Sequence, residues 1–89
     1  MNNYKFIIKG IVQKVYYRKT VCDNAKKYNF KGYIKNLSNG DVEASITSTD
    51  TDLDIFINIL QKGSIKSKVT KIIQSETNTV FTKSFSVIY

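Results

Sequence analysis

The stretch DVEASITSTDTDLDIFINILQKG, residues 41–63, changes its hydrophobic period once, and that change decides the fold. Val42, Ala44 and Ile46 alternate with polar residues, the period of a strand with one buried face. Beyond Thr47 the spacing lengthens. Leu53, Phe56, Ile57 and Leu60 fall at i, i+3, i+4 and i+7, which is one stripe of an α-helix. Ser48, Thr49 and Asp50 offer side chains that can accept the first unpaired helical N–H groups. Early acids suit the positive end of the helix dipole, and Gly63 suits its stop. A strand that runs straight into such a helix must lay it back across its own sheet to bury the stripe.

Upstream, YIKNL (33–37) reads as a short strand and SNG (38–40) as a tight turn, so strand 41–47 folds back antiparallel onto it. Further back, YKFIIKGIV (4–12) sets Tyr4, Phe6, Ile8, Gly10 and Val12 on one face and Lys5 and Lys9 on the other. Helical spacing returns from about Tyr17 to Tyr28, through Val21 and Ala25, with Lys19, Asp23 and Lys26 outside; NFKG ends that helix. Downstream, KVTKIIQSE and KSFSVIY read as two strands joined by a polar hairpin around Thr77 to Thr79. The order is β-α-β-β-α-β with the last strand region split. It predicts an α+β fold, the ferredoxin-like α/β plait, with an antiparallel sheet, two helices on one face and one domain over residues 1–89. This architecture hosts many activities, so function has to be read from a site.

Composition narrows the chemistry. The chain has no His and one cysteine, Cys22, so zinc centres, Cys–His pairs, Ser-His-Asp triads and an intrachain disulfide are all excluded. Cys22 reads as a small, half-buried apolar residue. Lys5 and Lys9 interrupt any apolar signal-peptide core, and no stretch is long enough to span a membrane. The expectation is a cytoplasmic monomer with no metal and no cofactor. The net charge of +7 calls for an anionic partner. Thirteen of the fourteen basic residues are Lys, and with twelve Ile, eight Asn and no Pro the composition is also that of an AT-rich coding sequence. Such drift accounts for lysines but not for the one arginine, Arg18.

Arg18 lies just beyond VQKVYY, where the first strand passes into the first helix. A strand-to-helix loop presents backbone N–H groups without intrahelical partners, and the helix dipole adds positive charge there. A guanidinium beside it can donate two parallel hydrogen bonds to one phosphate or carboxylate, which an ammonium cannot. Bidentate anion recognition explains an arginine that drift did not replace.

IKGIVQKVYYR (8–18) resembles the acylphosphatase signature, in which a Gly, a Val-Gln-Gly-Val run and an aromatic precede an arginine. GYIKNLSNGDV (32–42) is similar to the second signature of that family, matching at Gly32, Tyr33, Asn36, Gly40 and Val42. The resemblance implies hydrolysis of the carboxyl–phosphate anhydride of a small acyl phosphate. It makes Arg18 the phosphate ligand, Asn36 the residue that orients the attacking water, and Gln13, Lys14, Val15, Tyr16 and Tyr17 the phosphate cradle. The sequence departs from the family at Lys14, where the signature has Gly, at Ser48, and at Gly63-Ser64 in place of Gly-Pro. Two alternatives stand beside this reading. One is a degenerate relative that binds phosphate without turnover. The other is a basic nucleic-acid-binding plait, which the outward residues Lys5, Ile7, Lys9 and Ile11 of the first strand, and Asp41, Glu43, Ser45 and Thr47 of the third, do not favour, since none is aromatic.

Overall fold

A computed structural model describes residues 1–89. The elements are β1 (Asn2–Ile11), α1 (Tyr17–Lys27), β2 (Lys31–Asn36), β3 (Val42–Ser48), α2 (Asp50–Lys62), β4 (Lys68–Glu76) and β5 (Ser86–Ile88). They form one sheet in the order β4-β1-β3-β2-β5, with two helices packed on it. The register follows the hydrophobic alternation. Tyr4, Phe6 and Ile8 of β1 stand opposite Ile46, Ala44 and Val42 of β3, and all six are buried on the helix-facing side.

α2 begins as its sequence predicts: Thr49 caps it, its hydroxyl accepting from the Asp52 N–H at 3.2 Å, with Asp50 and Asp52 in the first turn. Its buried edge is Phe56, Ile59 and Leu60 rather than Phe56, Ile57 and Leu60. The reason lies at the end of the helix. Gly63 packs so closely on Tyr17 that an added Cβ would lie 2.7 Å from the ring, which turns the 56–60–63 line inward and leaves Ile57 at the margin. Phe56 is the centre of the core, 5.3 Å from the Phe6 ring, 5.1 Å from Phe30 and 5.8 Å from Phe85. Its complete burial contributes about 2–3 kcal/mol before those ring contacts are counted.

Other expectations are corrected as well. Tyr28 is exposed, because α1 stops at Lys27 and Asn29 takes a left-handed φ of 60°; Cys22 is buried rather than half-buried, with its thiol directed at the Phe85 carbonyl. The hairpin near Thr77 does not form. β4 and β5 lie on opposite edges, and β5 runs parallel to β2, Ile34 facing Val87, so the sheet is mixed. The connection crosses the end of the sheet, with the Thr77 N–H donating to the Asn3 carbonyl and the Phe81 N–H to the Thr47 hydroxyl. Phe85 explains the crossing: it is completely buried against Phe56, which a strand hairpinned onto the outer edge of β4 would not allow.

The face away from the helices carries the polar residues the alternation sets there, and it is well covered. Glu43 and Ser45 point there yet are only 8% and 2% exposed. The Glu43 carboxylate accepts from the Tyr33 hydroxyl at 2.6 Å and lies 3.4 and 3.6 Å from the Lys5 and Lys35 ammoniums. Burial pushes its carboxyl upward, but the hydroxyl and the two cations outweigh that and hold it below the ordinary range. Lys9 pairs with Asp41 at 2.7 Å, so three lysines of this face are held by carboxylates.

Candidate active site

β1 can turn into the loop 12–16 because Gly10, at φ 130°, passes β4 so closely that a Cβ would meet the Lys68 carbonyl. The pairing of β1 with β4 shifts register at this point. In the loop, Lys14 and Tyr16 both have φ of 61°, while Gln13, Val15 and Tyr17 between them do not have positive φ. Alternation of this kind turns successive N–H groups towards one side and forms an anion-binding concavity. The backbone N–H groups of residues 13 to 18 donate to no protein acceptor. Tyr16 supplies no side-chain cap and the first turn of α1 holds no acid, so the positive end of the helix is open.

Three braces hold this loop. The Gln13 side-chain amide donates to the carbonyls of Leu37 and Asp41, both at 2.8 Å, tying the loop to the β2–β3 turn. The Ser64 hydroxyl donates to the Val15 carbonyl at 2.6 Å from the α2–β4 connection. The buried Tyr17 hydroxyl donates to the Leu60 carbonyl at 2.7 Å, and burial pushes that phenol far up, so it stays neutral. The side chains of Gln13 and Tyr17 are therefore structural, and these two residues present only backbone N–H groups to an anion. Ser64 and Leu60 were not legible as site supports, because nothing in their local sequence points at the loop.

Arg18 sits in the first turn of α1, partly exposed, and pairs with no carboxylate. Its guanidinium carbon lies 5.0 Å from the centroid of the Tyr89 ring, a cation–π contact that steadies it. Sequence reasoning missed Tyr89, because only the parallel docking of β5 beside β2 brings it here. Val12, Lys14, Tyr16, Tyr17, Arg18 and Tyr89 surround a hollow of about 450 Å³. Asn36 is not on its wall. It ends β2, one residue before the carbonyl that Gln13 holds, and its Oδ1 is buried without any donor. An orphaned buried acceptor costs about 1–3 kcal/mol, which a hydrogen-bonded water would relieve.

Lys14 occupies the left-handed region where a side chain costs roughly 1–2 kcal/mol of strain. Lys14→Gly removes that strain, while the freer unfolded chain offsets about 0.5–1 kcal/mol of the gain. We expect a variant that is equally stable or up to about 1 kcal/mol more stable, with phosphate affinity equal or improved. Thermal melts and phosphate titrations check this. A loss of both stability and affinity would show the Lys14 ammonium to be part of the site.

A row of open amides beside an unpaired guanidinium suits a tetrahedral oxyanion, which places the chain among small α/β plaits that handle phosphate-like groups. The family model described as acylphosphatase matches residues 4–87, and the chain belongs to the acylphosphatase family. It is 38% identical over 74 residues to the acylphosphatase of Actinobacillus pleuropneumoniae, covering 83% of this chain and 82% of that one. It is 36% identical over 77 residues to that of Bacillus licheniformis, with 86% of each chain covered. The crystal structure of acylphosphatase from Bacillus subtilis superimposes with a TM-score of 0.92 over all of both chains, at 33% identity.

Proposed function

We propose that this acylphosphatase hydrolyses small acyl phosphates by means of Arg18, Asn36 and the amides of residues 13 to 18. The amides and the Arg18 guanidinium hold the phosphoryl oxygens, and the Asn36 Oδ1 accepts a hydrogen bond from the attacking water and aims its lone pair at phosphorus. The water oxygen bonds to phosphorus as the bridging oxygen leaves with its electron pair. Both protons of the water stay with the phosphoryl group, one passing to another of its oxygens, and the products are a carboxylate and dihydrogen phosphate. The observation that carries the reading is the run of unpartnered N–H groups from 13 to 18 ending at an unpaired arginine.

The chemistry asks little else. Phosphoryl transfer depends on positioning and on neutralising charge at the equatorial oxygens, which this site is built to do. The leaving carboxylate has a conjugate acid of pKa about 4, so no general acid has to protonate it. No acidic side chain lines the hollow to repel the phosphate. The site is assembled from one copy of β1, α1, β2 and β5, which supports a monomer acting as one domain. The buried lone thiol of Cys22 suits a reducing cytoplasm. The carboxylate-paired lysines of the open sheet face weigh against a nucleic-acid platform. A second reading, phosphate binding without turnover, is raised by Lys14 at a left-handed position where the family signature has Gly. Assay of the wild-type protein with benzoyl phosphate, with no metal added, separates the two. We expect steady release of phosphate with inorganic phosphate as a competitive inhibitor, whereas phosphate binding without hydrolysis would establish the second reading.

A further inference from the structure

The loop after β1 is held from two opposite flanks, because β1 lies between β3 and β4 in the sheet. On the flank of β3 and β2 stand the Gln13 brace and Asn36. On the flank of β4 stands the connection from α2, whose Ser64 braces Val15. That second flank holds a trough of about 760 Å³ between α1 and residues 62–67, lined in part by Val15, Tyr16, Thr20, Lys62, Ile65 and Lys66. Tyr16 is a wall of both hollows and the only residue they share.

In-line phosphoryl transfer sets the attacking and leaving oxygens on opposite sides of phosphorus. With the water held by Asn36 on one flank, the leaving carboxylate departs towards the other. We infer that the acyl part of the substrate lies in this trough, and that its rim selects acyl phosphates with a bulky apolar body, aromatic or branched, over acetyl phosphate. This rests on the acyl phosphate reading above and names the substrate class for the same site. The rim is built rather than incidental. Ile65 is completely exposed at the tip of a turn clamped by Ser67, whose N–H donates to the Ser64 carbonyl at 3.1 Å and whose hydroxyl accepts from the Ser64 N–H at 2.9 Å. The turn thereby fixes the backbone of Ile65 beside the trough, which keeps a large apolar side chain at its rim, and the methylene stems of Lys62 and Lys66 extend the same apolar surface.

The test compares kcat/KM for acetyl phosphate and benzoyl phosphate in wild type, Ile65→Ser and Ile65→Ser/Lys66→Ser. Each substrate is compared with itself across variants, so differences in anhydride reactivity cancel. Loss of apolar contact should lower benzoyl phosphate turnover roughly fivefold in the single variant and about tenfold in the double, mostly through KM. Acetyl phosphate should stay within about twofold, since the loop is braced from this side by Ser64 and neither Ile65 nor Lys66 hydrogen-bonds to it. Equal effects on the two substrates, or none on either, would overturn the trough as the acyl site while leaving the hydrolase reading intact. A wild-type protein that hydrolyses neither substrate would overturn the hydrolase reading and this inference with it.

Discussion

Arg18→Lys is expected to lose about 10²-fold in kcat/KM while melting at the wild-type temperature. The substitution conserves charge, so any loss reports geometry. The guanidinium is planar, donates two parallel hydrogen bonds to the oxygens of one phosphoryl group, and rests against the Tyr89 ring. An ammonium keeps the attraction but loses the second directed donor and the fixed plane, and its flexible stem must be ordered at each turnover. A hundredfold corresponds to about 2.7 kcal/mol of transition-state stabilisation, in the range for removing one oriented donor from a preorganised site. Stability should not change, because Arg18 is partly exposed and pairs with no carboxylate that the mutation would strand. Circular dichroism and a thermal melt establish the fold, and steady-state kinetics with benzoyl phosphate give the loss. Turnover within a few-fold of wild type in a folded Arg18→Lys protein would show that any cation suffices.

The sequence carried most of the fold because its periods are clean where one face is buried. Val42, Ala44 and Ile46 alternate, Phe56 and Leu60 recur at helical spacing, and the structure buries all five. Legibility failed where the deciding contact is distant in the chain. Nothing local to KSFSVIY says whether its strand pairs with β4 or crosses to β2; the choice rests on Phe85 reaching Phe56. The margin of α2 is similar, since positions 53, 56, 57 and 60 make one helical stripe and positions 56, 59, 60 and 63 another, and the close approach of Gly63 to Tyr17 favours the second. At the candidate site, the loop and Arg18 stand out in the sequence because a strand-to-helix junction with one arginine has a direct physical meaning. The division of labour within the loop does not. Gln13 and Tyr17 belong to the motif, yet their side chains point into braces, which requires knowing that the Leu37, Asp41 and Leu60 carbonyls lie within reach.

Asn36→Ala should separate catalysis from binding. The Asn36 Oδ1 is buried and accepts no hydrogen bond from the protein, an arrangement that disfavours the folded state unless a donor such as water fills it. Removing the acceptor leaves no stranded partner, so the variant should be as stable as wild type or more so. Its kcat should fall by about 10²–10³-fold, because a water no longer aimed at phosphorus loses the near-attack geometry. Phosphate affinity should stay within about threefold, since the cradle amides and Arg18 are intact and a contact made mainly in the transition state contributes little to ground-state binding. A more stable, phosphate-binding and nearly inactive protein is an outcome that a purely structural asparagine would not produce. Isothermal titration with phosphate, a thermal melt and a turnover assay on the same preparation give the three values. If affinity collapses together with kcat, Asn36 belongs to the phosphate cradle. If the melting temperature falls by several degrees, its amide holds the end of β2 instead, and the water must be aimed by another group.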